Sequence, residues 1–162
     1  MIKKITAMRK EIAAIRSNTL ARNILIHSEI EKIAQECEKN NIKLVLLKGA
    51  ALIELYPEYS FDREMEDVDV LVGQKNLKKF LQILNFFGYK QFKDDPNVCY
   101  NETTGIKIDI TTKLWYLSDK EQFELTRKLV KVNNVYVLPP QEMLKHIVVH
   151  CYIEHNYVED KW

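Results

Sequence analysis

The chain has 162 residues, 46% of them apolar, which suits one compact domain and not two full ones. Its 24 lysines and arginines are balanced by 23 aspartates and glutamates, so a broad nucleic-acid-binding surface is not indicated. Three widely spaced cysteines and the absence of a long apolar run argue against a disulfide framework, a zinc knuckle and a membrane span, and they favour a cytoplasmic protein.

The first forty residues have a helical pattern with two apolar stripes. The stripes consist of Ile5, Met8, Ile12 and Ile15, and of Ile26, Ile30, Ile33 and Cys37. The polar segment Ser17-Asn18-Thr19 predicts a break between two helices, and Asn40-Asn41 predicts the end of the second. Residues 1–41 are therefore expected to form helices that pack on a core.

The segment from residue 43 to residue 73 predicts strand, helix, loop and strand. A short β-like run covers 43–47 and turns at Lys48-Gly49 into a small helix over 50–56. Pro57 begins a polar loop that extends to Glu66. An Asp-Val-Asp strand follows, and Gly73 ends it.

The remainder predicts a small sheet with helices. A helix over 77–84 stops at Gly88, and strands at 89–92 and 98–100 flank a turn at 94–97. The later elements are a strand over 106–111, a helix from the capping box Ser118-x-x-Glu121 to about Leu129, a strand over 135–138, and a final helix after Pro139-Pro140 whose core face is Leu144, Ile147, Val148 and Cys151. We expect a mixed α+β domain with its core at 42–138 and a C-terminal helix within 139–162.

Three aspartates are the candidate catalytic residues. Alternate residues of a strand share a face and rise about 3.3 Å each, so Asp67 and Asp69 point the same way, about 6.5 Å apart. In the run Ile106 to Thr111 the isoleucines share one face and Asp109 lies on the other. If the two strands are neighbours, three carboxylates converge on one open face, which suits two Mg²⁺ ions and a nucleoside triphosphate.

A phosphate-binding turn is predicted at Lys48-Gly49-Ala50, where a strand turns into a helix. Backbone N–H groups and the helix dipole face an anion at such a turn, and Gly49 permits close approach. Lys48 adds a positive charge, and Arg63 adds a bidentate clamp for phosphate oxygens.

These motifs together resemble the DNA polymerase β-like nucleotidyltransferase superfamily. Within it, the chain is most similar to an uncharacterised bacterial and archaeal nucleotidyltransferase family, through Leu47-Lys48-Gly49, Arg63, Asp67 to Val72 and Ile108-Asp109-Ile110. The resemblance implies the polymerase β-like fold, a small mixed sheet with helices packed on one face. It also implies that Asp67, Asp69 and Asp109 ligate metal and that Lys48, Gly49, Ala50 and Arg63 bind the nucleotide.

The implied activity is transfer of a nucleoside monophosphate from a nucleoside triphosphate to an acceptor hydroxyl, with release of pyrophosphate. The implied cofactor is Mg²⁺, with two ions expected and Mn²⁺ as a substitute. The acceptor stays open between a small molecule, a protein side chain and an RNA end. No membrane partner is expected, whereas a protein partner or a homodimer could use the helical termini.

Two alternatives remain at this point. Ala50 follows Gly49 where the wider superfamily has serine, Thr111 stands where relatives often have histidine, and the chain ends at Trp162. Ala50 and the early C-terminus favour a non-catalytic nucleotide-binding or regulatory module that acts with a partner. The other alternative is a helical interaction protein that dimerises through its first forty residues.

His146 and His150 have the i, i+4 spacing of a helical zinc site. Ile147 occupies the place of the glutamate in a His-Glu-x-x-His metalloprotease, so a packing or surface role is favoured.

Overall fold

A computed structural model of the protein describes residues 2–60 and 63–154. Its α-helices are α1 (Ile2–Lys39), α2 (Lys48–Leu55), α3 (Leu77–Phe86), α4 (Asp119–Lys128) and α5 (Pro140–Val149). Its strands are β1 (Val45–Leu46), β2 (Val68–Leu71), β3 (Lys90–Gln91), β4 (Val98–Asn101), β5 (Ile106–Thr111), β6 (Val130–Val132) and β7 (Val135–Val137). Short 3₁₀ turns precede β2 and α3, and a π-helical turn over His150–Glu154 follows α5.

The helix α1 is continuous, so the predicted break at residues 17–19 is wrong. None of these three residues is glycine or proline, and their cost within a helix is only a fraction of a kcal/mol each, which burial of Thr19 on the core side offsets. The second apolar stripe is buried as predicted. In the first stripe Ile12 and Ile15 are exposed, while Ile5 and Met8 lie outside the side chains that the structure describes.

The strands form one mixed sheet in the order β3-β4-β5-β2-β1-β7-β6. At its centre β2 pairs parallel with β5 and antiparallel with β1, which in turn pairs parallel with β7. The valines of β2 and the isoleucines of β5 lie in register and are buried, so their predicted common core is confirmed. Helix α1 packs against α3, and α2 packs against β2 and α5.

The hairpin of β6 and β7 is only half predicted by the sequence. Asn133 has a φ of 50° and begins a two-residue turn that pairs Val132 with Val135. An Asn-Asn pair between two short runs that contain valine indicates a hairpin, because asparagine tolerates the positive φ that a two-residue turn needs. The β6 residues are largely exposed, which explains why no apolar run marked this strand.

The predicted core face of α5 is wrong at Leu144 and Val148 and confirmed at Ile147, which packs against the core. Leu144 and Val148 are 65% and 52% exposed, whereas Met143 and His146 are 4% and 6% exposed. The helix is therefore rotated by about one residue, or 100°, from the expected orientation. The His146 ring stacks on Tyr116 with centroids 5.9 Å apart, which supports the packing role for this histidine.

The capping box at the start of α4 is confirmed. Ser118 Oγ accepts a hydrogen bond from the Glu121 N–H, and the Glu121 carboxylate accepts one from the Ser118 N–H at 2.8 Å. Gly88, just after α3, has a φ of 85°, as expected of a helix stop. Over the described part of the chain, no helix combines the length and apolarity needed to cross a bilayer.

Candidate active site

Asp69 and Asp109 lie side by side on the two central strands. The parallel pairing of β2 and β5 matches these two residues directly, and neighbouring strands lie about 4.8 Å apart. Both side chains point away from the core of valines and isoleucines because their strand neighbours on either side are buried. The structure therefore brings together two of the three predicted carboxylates on one face.

The two carboxylates affect each other electrostatically. Partial burial raises the pKa of Asp109, and the nearby Asp69 carboxylate raises it further, while the ammonium groups of Lys48 and Lys107 act in the opposite direction. Added positive charge between the two acids would relieve this repulsion. The face is therefore suited to a cation.

Lys48 supplies one such cation from the turn between β1 and α2. Its Nζ lies 2.8 Å from Asp69 Oδ1, and both side chains are mostly buried. The Leu47 N–H donates to the Asp69 carbonyl oxygen at 3.0 Å, which fixes the turn beside this aspartate. Lys48 has a φ of 46°, an uncommon conformation for a residue with a Cβ, which costs about 1 kcal/mol.

Asp67 stands just before β2 and is more open to solvent. Its Oδ2 lies 3.7 Å from Lys107 Nζ, with each side chain about two-fifths exposed. Lys107 alternates with Asp109 along β5 and shares its face. The strand alternation that places Asp109 on this face also predicts Lys107 there, but the pattern does not indicate its contact with Asp67.

The predicted phosphate turn and Arg63 are in contact. A Cβ added to Gly49 would lie only 3.0 Å from Arg63 Nε, so the guanidinium rests directly against this glycine. Gly49 and Ala50 are the second and third residues of α2, and both are buried. Thus Arg63, remote from Gly49 in sequence, lies beside it at the start of this helix.

Thr111 does not take part in this cluster through its hydroxyl. It follows Asp109 on the same face of β5, but its Oγ1 donates to the Lys113 carbonyl oxygen at 2.9 Å. That hydrogen bond directs it toward the loop after the strand.

The donor set at this face suits a hard divalent cation, because carboxylate oxygens are the ligands that Mg²⁺ prefers. Among the described residues, however, no three histidine, cysteine, aspartate or glutamate side chains already stand close enough to hold a metal ion. Asp69 forms an ion pair with Lys48, and the Asp67 carboxylate lies near the Lys107 ammonium. Asp67, Asp69 and Asp109 have the oxygen ligands that the ion needs and lie on one face of the sheet. To bind it, Asp69 would have to give up its contact with Lys48, and Asp67 its contact with Lys107.

Comparison with known proteins shows the family of the chain. The model of a family described as uncharacterised nucleotidyltransferase matches residues 3–161. The chain belongs to this family. No curated protein matches the chain.

A solved structure shares the fold. The crystal structure of a "putative nucleotidyltransferase" from Thermotoga maritima superposes with a TM-score of 0.58 and 14% sequence identity, covering 85% of this chain and 91% of that one. At this identity the likeness shows a common fold alone. The mixed α+β architecture predicted for a nucleotidyltransferase is thus confirmed, and family membership supports a transferase role.

Proposed function

We propose that the protein is a Mg²⁺-dependent nucleotidyltransferase that moves a nucleoside monophosphate from a nucleoside triphosphate to an acceptor hydroxyl. The observation that carries this proposal is the direct pairing of Asp69 with Asp109 on a face that Lys48 and Arg63 border. Two acids alone are common at strand ends. Two acids beside two cations and a glycine-containing helix start form both halves of a metal–triphosphate site.

The residues divide the work between binding and proton transfer. Asp67, Asp69 and Asp109 would hold Mg²⁺, which when bound neutralises triphosphate charge. Lys48 would leave Asp69 and pair with the triphosphate, and Arg63 would donate two N–H groups to phosphate oxygens. Positioning and charge neutralisation would supply most of the catalysis.

In the proposed reaction Asp109, as a carboxylate, accepts the proton of the acceptor hydroxyl. The acceptor oxygen forms a bond to the α-phosphorus, and the bond from the α-phosphorus to the bridging oxygen breaks. Pyrophosphate leaves with that electron pair.

The test is pyrophosphate release from each of the four nucleoside triphosphates with Mg²⁺ or Mn²⁺. The acceptor panel comprises small polyhydroxy compounds, RNA with a free 3′-hydroxyl, and a protein mixture. We expect metal-dependent release with one acceptor class and transfer of label from an α-³²P nucleotide to that acceptor. Absence of release under all of these conditions would refute the enzymatic proposal.

A second candidate is a nucleotide-binding module without catalysis, and two observations favour it. Lys48 forms an ion pair with Asp69, a candidate metal ligand, and Ala50 offers no hydroxyl to a phosphate. Tight binding of Mg²⁺–nucleotide, with no pyrophosphate even when a candidate partner protein is added, would select this function instead.

A further inference from the structure

Helix α1 buries an asparagine in a row that is otherwise mostly apolar. Asn23 is 1% exposed and lies on the same helix face as the buried Ile26 and Ile30. Burying a carboxamide is costly unless its polar atoms are hydrogen-bonded. An isoleucine would continue the pattern of the row, so the amide needs a separate explanation.

The amide nitrogen of Asn23 binds the loop that precedes β2 at two points. Its Nδ2 donates to the Ser60 carbonyl oxygen at 2.5 Å and to the Arg63 carbonyl oxygen at 2.6 Å. These two carbonyls lie on either side of residues 61–62. A single side chain of α1 therefore holds both ends of this part of the loop.

The asparagine achieves this at a cost. Its Oδ1 is also buried, and within the described part of the chain it accepts no hydrogen bond. A buried acceptor without a donor destabilises the folded protein. A buried polar residue that carries such a cost is expected where it supports a site and not only the core.

The loop that Asn23 holds is the one that carries Arg63. Beyond Arg63 the chain is fixed again by Met65, which is 6% exposed. With the backbone held at Arg63 and the next buried side chain two residues later, the Arg63 guanidinium is directed against Gly49. Gly49 directly follows Lys48, so the guanidinium lies at the same turn as the Lys48 ammonium.

We propose that Asn23 is a positioning residue that holds the Arg63 guanidinium against the Lys48–Gly49–Ala50 turn, so that a triphosphate meets both cations at once. This inference rests on the proposed nucleotide site. It adds a residue from a helix that carries none of the recognised motifs. It gives α1 a role in ligand binding as well as in packing.

The experiment compares ATP affinity in Asn23→Leu, Arg63→Gln and the double variant. Asn101→Leu is the matched control, because Asn101 is another buried amide that donates to a loop carbonyl, that of Phe87 at 2.9 Å, away from the site. Binding is measured with Mg²⁺–ATP by calorimetry, so no acceptor is needed. Asn23→Ser, which retains a single donor, replaces Asn23→Leu if the latter does not fold.

We expect Arg63→Gln to weaken ATP binding about tenfold, the scale for a lost hydrogen bond to a charged group. Asn23→Leu should weaken it to a similar extent, and the double variant should be no weaker than Arg63→Gln. Asn101→Leu should lower Tm yet leave ATP affinity within about twofold of the parent protein. Normal ATP affinity in Asn23→Leu, or effects of Asn23→Leu and Arg63→Gln that multiply, would overturn the proposal.

Hydrogen exchange separates failure of this inference from failure of the proposed function. In nucleotide-free protein, Asn23→Leu should speed exchange at the amides of residues 63–66, and Asn101→Leu should not. If the parent protein binds no ATP, the proposed function fails and the positioning role fails with it, whatever the exchange shows. If the parent protein binds ATP but exchange at 63–66 is unchanged in Asn23→Leu, only the role of Asn23 is refuted.

Discussion

The Lys48 ammonium lies 2.8 Å from the Asp69 carboxylate, so the phosphate turn and the acidic strand are linked by one ion pair. The same carboxylate is the best-placed candidate metal ligand, because it stands directly opposite Asp109. A lysine and a divalent cation cannot both occupy that oxygen. We therefore expect Lys48 to exchange Asp69 for the triphosphate when a metal–nucleotide complex binds.

Lys48→Met tests this exchange. Without the ammonium, Asp69 and Asp109 lose a neutralising charge, so Mn²⁺ alone should bind about tenfold more tightly, while ATP binding should weaken by a similar factor. Mn²⁺ binding is followed by the loss of its free electron-spin-resonance signal, and ATP binding by calorimetry. Lys107→Met is the control, since its ammonium lies 3.7 Å from a more exposed aspartate and should have a smaller effect. Weaker Mn²⁺ binding in Lys48→Met would contradict the exchange.

Asp69→Asn tests the assigned catalytic role. The amide retains the size of the side chain but removes its charge, and we expect turnover to fall at least about a hundredfold, as for loss of one preorganised electrostatic group. Turnover is measured as pyrophosphate released per enzyme with the active acceptor. Asp119→Asn provides the matched control, since this aspartate lies at the start of α4 and pairs with Lys113. Near-normal turnover in Asp69→Asn would rule out the metal role.

Gly49→Ala tests the contact between the turn and Arg63. The new Cβ would stand 3.0 Å from Arg63 Nε, so the guanidinium has to shift by a few tenths of an ångström, and ATP affinity should fall by up to about threefold. Gly73→Ala is the control because nothing lies within 4 Å of a Cβ at that position. The effect of Gly49→Ala should largely disappear in an Arg63→Gln background. A full effect there would mean that the glycine serves the ligand directly.

Ser118→Ala tests the helix cap and its pH dependence. Loss of this N-cap should lower the free energy of unfolding by about 1 kcal/mol at neutral pH. The Ser118 hydroxyl and N–H hold the pKa of Glu121 below its ordinary value, so the part of the stabilisation that comes from the Glu121 carboxylate is present above that value and is lost as the pH falls through the lower, folded one. The difference between Ser118→Ala and the parent protein in urea unfolding should therefore shrink in acid. Ser17→Ala, in the middle of α1, should show no such pH-dependent difference.

Local patterns predicted an element best where apolar and polar residues alternate regularly along it. The strand over 106–111 has the predicted bounds, because six residues alternate strictly between buried and half-buried. The continuity of α1 through Ser17 was missed because polar residues weaken a helix without ending it. The core face of α5 was predicted about one residue out, since Met143 and His146 are buried instead of Leu144 and Val148, while Ile147 packs on the core as predicted.

The candidate site, too, has features that local patterns predict and features that they do not. Strand alternation was sufficient to predict Asp67 and Asp69 on one face of their strand. It also predicted Asp109 on the face away from the neighbouring isoleucines. The turn at Lys48 was predicted from a strand that ends just before a helix. Which residues meet was decided by packing between distant segments. The parallel pairing of β2 with β5, the contact of Arg63 with Gly49 and the hold of Asn23 on the loop each join residues at least 14 positions apart.

The amino-acid sequence by itself determined which face of its strand each side chain lies on, because successive side chains of a strand point to opposite faces. The tertiary structure alone decided the neighbours, since strand order and helix docking depend on how the whole core is buried. The sequence therefore shows that residue 48 is a lysine with a positive charge, but only the fold shows that it forms an ion pair with Asp69.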